Sequence, residues 1–199
     1  MTIKELRDAT ASLGFENELE SDEGFFSAAN RALYCANRIR PRSSELEVFI
    51  GKEENAVCDG QLNGKPYKKI DLCAECHDFL RLMPSAVLYG AQLLKEDEDF
   101  IIADAHTILL FADRAGTYRI RYYKRLRRII GDDEGMELEL DEDICQILPL
   151  LVASYVWLED EEEKAEKYKS LFYAEASMIE DFSKKSHCAA YNVTEEWGV

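Results

Sequence analysis

The chain has 199 residues, 40 acidic against 24 basic side chains, a net charge of −16 and a pI near 4.6. The acidic balance excludes a generally basic nucleic-acid clamp, and 47% apolar residues with 9 Phe and 10 Tyr exclude a disordered acidic tail. The longest apolar run, Ile147 to Leu158, falls far short of the ~20 residues a membrane-spanning helix requires.

The opening Met1-Thr2-Ile3-Lys4-Glu5 carries no apolar leader, so the expectation is an unexported chain whose six cysteines are thiols. Thr2 and Glu5 form a capping box. Ile3, Leu6 and Leu13, with Ala9 or Thr10 between, keep one helical face apolar until Gly14. A second helix starts at Ser21-Asp22-Glu23 and carries Phe25, Ala28, Ala29, Ala32, Cys35, Ala36 and Ile39. Arg40-Pro41 ends it, because a residue before proline is pushed out of the α region.

From residue 45 to 140 short apolar pieces alternate with turn signals at Gly51, Asp59-Gly60, Asn63-Gly64, Pro84 and Ala115-Gly116. Tyr118, Ile120 and Tyr122 alternate with Arg119, Arg121 and Tyr123, the period of a half-buried strand. The spacing predicts an antiparallel sandwich or partial barrel, with Ala86 to Glu96 open to a short helix instead.

Asp141-Glu142-Asp143 then opens an amphipathic run of Ile144, Ile147, Leu148, Leu151, Val152 and Tyr155, with a kink expected at Pro149. After the acidic stretch Glu159 to Glu163, a further helix carries Ala165, Tyr168, Phe172, Ala176, Ile179 and Phe182 on one side. Residues 183–199 read as a loose tail. The predicted class is α+β: a helical bundle from 1–44 and 141–182, with 45–140 as an inserted antiparallel β-domain. Its expected core comprises Leu6, Ile39, Ile144, Leu148, Leu151, Val152, Tyr155, Tyr168, Phe172 and Ile179.

Two strings invite chemistry. Cys73-Ala74-Glu75-Cys76-His77 has the C-x-x-C-H spacing of c-type haem attachment, which needs an exported chain. Cys58, Cys73, Cys76 and His77 are zinc-ligand types, although the second C-x-x-C or H-x-x-x-H of a specific site is missing. Small side chains in a loop or at a strand edge are the favoured account of them, and no cofactor is expected. No G-x-S-x-G, G-x-G-x-x-G or G-x-x-x-x-G-K occurs, so nothing marks an enzyme.

The second string is basic. Arg119, Arg121, Lys124, Arg125, Arg127 and Arg128 interleave with Tyr122 and Tyr123. They are candidates for contact with another subunit, for a solvated strand face, or for a nucleic-acid platform. Charge is uneven along the chain, with acids crowding 16–23, 132–143 and 159–166.

Leu148-Pro149-Leu150-Leu151-Val152-Ala153-Ser154, then Trp157-Leu158-Glu159-Asp160 and Ala165-Glu166-Lys167-Tyr168, resemble the closing helices of head–tail connector (adaptor or neck) proteins of tailed bacteriophages. Phe25 to Leu33 ending at Arg40-Pro41 is similar to the family's second helix. Asp78 to Leu82 with Gly116 to Tyr123 is similar to its β-domain. Cys76-His77 departs from the leucine or proline found before the Asp-Phe pair.

The resemblance implies a non-enzymatic virion protein, assembled in the host cytoplasm. It forms a homo-oligomeric ring, usually a dodecamer, between the portal and a tail or stopper protein. DNA passes through its channel without sequence-specific contact and without any membrane. The basic band then serves a neighbour, and the acidic faces serve a DNA-repelling channel or solubility. Alternatives are a binding module holding carbohydrate or nucleic acid through Tyr118, Tyr122 and Tyr123, or a small zinc-binding protein.

Overall fold

A computed structural model describes residues 1–14, 19, 22–51, 59–112, 114–131 and 134–195, with side chains for all of these except Asp22 and 182–195. In chain order the elements are α1 (Ile3–Ala11), α2 (Asp22–Ile39), β1 (Ser43–Ile50), β2 (Gly60–Leu62), β3 (Lys65–Asp71) and the single turn α3 (Leu72–Glu75). They continue with β4 (Phe79–Tyr89), β5 (Gln92–Leu93), β6 (Phe100–Ile102), β7 (Thr107–Phe111), β8 (Gly116–Lys124), α4 (Glu142–Val156) and α5 (Glu162–Glu195). The class is α+β, with helices at both ends of the chain and two antiparallel sheets between them. Cys58, Trp197-Gly198-Val199, the Phe182 side chain and parts of the first two acidic runs lie outside the described residues.

The chain divides into two compact units, Met1–Arg40 with Arg127–Val199, and Pro41–Leu126. In the helical unit α1, α2 and α5 all pack on α4. The capping box at the start of α1 is complete: Thr2 Oγ1 accepts from Glu5 N–H, and a Glu5 carboxylate oxygen accepts from Thr2 N–H at 2.7 Å. Asp141 occupies the N-cap of α4 without capping it by its side chain; its carboxylate pairs instead with Arg40 Nε at 2.7 Å. Helix α4 continues through Pro149, whose ring removes the donor that would reach the Cys145 carbonyl.

Leu6, Ile144, Leu148, Leu151, Val152 and Phe172 are fully buried, and the alanines Ala29, Ala32 and Ala36 let α2 approach α4 closely. Ile39, Tyr155, Tyr168 and Ile179 are only partly buried, so they border the core. Tyrosine hydroxyls resist complete burial: Tyr168 donates to the Leu13 carbonyl, and Tyr155 opens onto a groove described below.

Two boundaries differ from the sequence reading. Residues 127–140 belong with the helices, because Ile3 and Lys4 N–H donate to Met136 and Glu134 carbonyls and Leu138 N–H donates to Met1. Buried Ile129, Leu138 and Leu140 add to this unit's interior. The expected loose tail at 183–199 is, as far as Glu195, a continuation of α5.

In the second unit the sheet orders are β1-β8-β4-β5 and β2-β3-β7-β6. Val48, Val87 and Ile120 from the first sheet and Ile70, Ile108 and Leu110 from the second share one core, which makes the unit a small sandwich. Asn63 and Gly64, both at positive φ, form the two-residue turn joining β2 to β3. The Ala86–Glu96 segment is not helical: β4 runs to Tyr89 and turns at Gly90 (φ 59°) into β5. Strand β4 also passes through Pro84, tolerated because the pairing with β8 slips between Leu82 and Val87, with Ser85 at φ 55°.

Candidate functional site

The C-x-x-C-H string is turned two ways by its backbone. Asp71 caps α3 by accepting from Cys73 and Ala74 N–H, which leaves Cys73 exposed and carries Cys76 into the sandwich core. Burial pushes the Cys76 thiol above its ordinary pKa, with a hydrogen bond to Tyr122 opposing the rise. Burial likewise raises Tyr122, whose hydroxyl donates to Asp78 at 2.8 Å. His77 faces solvent. Cys73 and His77 are thus held apart in environment from Cys76, and among the described residues no three potential metal ligands gather.

The basic string is parted between the two units. Arg119 and Arg121 lie on the outer face of β8, where Glu45 across the β1–β8 pairing takes both: 2.7 Å to Arg121 Nε and 3.6 Å to Arg119 Nη1. Arg119 also donates to the Gly90 carbonyl. Lys124 is half-buried at the end of β8, and exposed Arg125 donates its N–H to the Asp78 carbonyl. Tyr118 and Tyr122 point into the core, so two of the three rings proposed as a stacking platform are unavailable to a ligand. Tyr123 alone lies outside, under Arg81 at 4.7 Å.

Arg127 and Arg128 belong to the helical unit, and Arg128 lines a recess there. This is an open groove of about 390 Å³ whose other walls include Ser27, Arg31, Tyr34, Cys35 and Tyr155. Arg31 lies over the Tyr155 ring at 4.4 Å, and the Tyr155 hydroxyl is 3.2 Å from Cys35 Sγ. Burial and the neighbouring thiol keep that phenol protonated well above its usual range.

Asn30 positions Arg128. Its amide nitrogen donates to the Phe26 and Ile129 carbonyls, and its amide oxygen accepts from Ile129 N–H at 2.9 Å. Replacing Asn30 by Ala leaves both backbone groups of Ile129 without these partners. The expected loss is about 2 kcal/mol, read as a lower urea midpoint at unchanged m-value; an unmoved midpoint would show that Asn30 does not hold this segment.

Sequence reasoning found Arg128 but missed the rest of the groove. The available signal was Ser27, Arg31, Tyr34 and Arg38 at i, i+4, i+7 and i+11, a polar and aromatic stripe beside the alanine face of α2. Among the described residues, no carboxylate pairs with Arg31 or Arg128. No helix among these residues is long and apolar enough to cross a membrane. No family model and no curated protein sequence matches the chain.

Proposed function

We propose that the chain is a non-enzymatic structural protein of a tailed-phage virion, working as a ring of identical copies at the head–tail junction. In this role it joins the portal to a tail or stopper protein and lengthens the channel through which DNA passes. The observation that carries the reading is the order of the two units along the chain. Helices from both ends make one unit, and an antiparallel sandwich is spliced between α2 and residue 127, the arrangement the family resemblance implies. The surface chemistry adds support: in an acidic chain, two arginines on an open groove pair with no carboxylate among the described residues, as a protein that binds through its surface would have them.

Ring formation requires head-to-tail contacts in which two different patches of one copy meet the complementary patches of its neighbours. The test is the solution mass of the purified chain, alone and mixed with a portal protein of the same phage. Closed multimers, or multimers seated on the portal, are expected. A chain that stays monomeric and fails to join portals overturns the reading.

A further inference from the structure

Resting on the ring-forming reading, we infer that the groove of Arg31, Arg128, Tyr34 and Tyr155 receives the acidic turn Leu158–Glu163 of a second copy of this chain. Guanidinium groups are the side chains best suited to carboxylates, because their planar forks donate to both oxygens at once. In a chain with 40 acidic residues, two arginines on one groove have no carboxylate partner among the described residues. Among the described residues the groove therefore keeps two guanidinium donors open to a carboxylate.

The same unit presents the complementary acceptors. Glu159, Asp160, Glu161, Glu162 and Glu163 are all exposed where the chain turns from α4 into α5, and the Glu161 carboxylate pairs with the neighbouring Lys164 at 2.8 Å. Leu158 stands beside them 47% exposed, an apolar side chain without cover. Tyr34, 62% exposed on the groove wall, offers it an aromatic face. Arginine and tyrosine are the residue types that anchor protein interfaces, and a leucine flanked by acids matches them in both charge and polarity. Groove and turn consist of different residues, so each copy carries one of each and the contact extends head to tail.

A charge swap tests the assignment, with association of the full chain measured by sedimentation at low ionic strength. Two variants are compared with the natural chain: Arg31→Glu with Arg128→Glu, and Glu159→Lys with Asp160→Lys. All four positions are exposed, and the two acidic ones precede α5, so both variants stay folded, with a cooperative thermal transition. In the arginine variant that transition is lowered by no more than the contact of Arg31 over the Tyr155 ring contributes. Each variant alone is expected to associate roughly a hundredfold more weakly. An equal mixture of the two regains association, because each reversed groove then meets a reversed turn. Raising the salt weakens the natural contact, as screening demands.

Undiminished association of either variant, or no rescue in the mixture, overturns the groove-and-turn contact while leaving the ring reading intact. The contact also falls if the natural chain joins portals but never binds a second copy. A chain that does neither removes both.

Discussion

Leu151→Asp abolishes the cooperative folding of the helical unit. Leu151 sits with no exposed surface on α4, the helix on which α1, α2 and α5 all pack. Its buried companions on α4, Ile144, Leu148 and Val152, are apolar, so a carboxylate there faces hydrocarbon. The charged form loses its hydration, and protonation to escape that cost still leaves a polar group in the core. Loss of the leucine's own packing adds the usual penalty of a large-to-small core substitution. Together these exceed about 5 kcal/mol, comparable with the whole stability of an ordinary domain. The far-UV helix signal is expected to fall and its thermal transition to broaden or vanish. Leu171→Asp is the matched control: Leu171 is 43% exposed on α5, and its replacement leaves the transition nearly unmoved. Equal behaviour of the two variants would refute the packing assigned to α4.

The features legible in the sequence were those encoded by neighbours in the chain. The Thr2–Glu5 box lies within one helical turn, and the periodic apolar face of α4 announces a helix that other elements must cover. Asn63-Gly64 specifies its turn because asparagine and glycine tolerate positive φ. The errors arose where distant pairing decides. Segment 134–138 has no strong local preference; it joins the helical unit because residues 1–4 share backbone hydrogen bonds with it. Pro84 looked like the end of a strand, since nothing local reveals the slipped register that accommodates it. Beyond residue 182 low apolar content suggested a tail, but Lys184, Lys185, Ala189 and Ala190 are good helix formers and α5 continues through them.

The candidate site was less legible for a related reason. The six basic residues from Arg119 to Arg128 lie within ten positions, yet the division at Leu126 and Arg127 assigns them to different units, and Glu45 engages two of them from another strand. Arg31, by contrast, is one of two well-separated basic residues within α2, the other being Arg38. It gains meaning only when Tyr155 comes from α4 and Arg128 from the segment clamped by Asn30. Clusters of like residues along a chain are easy to notice, whereas a groove is assembled from residues far apart in it.

Gly116→Val is expected to be the most damaging single substitution of a turn residue in the sandwich. Gly116 opens β8 opposite Ile50 of β1 with φ at +149°, a conformation that L side chains rarely adopt. Steric conflict compounds the backbone strain. A Cβ placed there would lie 2.8 Å from both Cε2 and Oη of Tyr89. That ring has little freedom to retreat, because its hydroxyl donates to the Ala115 carbonyl at 2.8 Å and its face packs against Tyr118 at 5.1 Å between centroids. Accommodating valine therefore means breaking the hydrogen bond, displacing the ring from the core edge, or parting the first pair of β8 with β1. Backbone strain of about 1–3 kcal/mol and overpacking of about 1–3 kcal/mol add to a loss near 4 kcal/mol. Denaturant unfolding followed through the tyrosine signal reads it. Gly51→Ala supplies the comparison, because a Cβ at Gly51 meets nothing within 4 Å and its φ is outside the region that favours glycine. That variant shifts stability by no more than about 0.5 kcal/mol. If Gly116→Val shifts it as little, Tyr89 does not seal the end of the β1–β8 pairing, and the packing described for that edge is wrong.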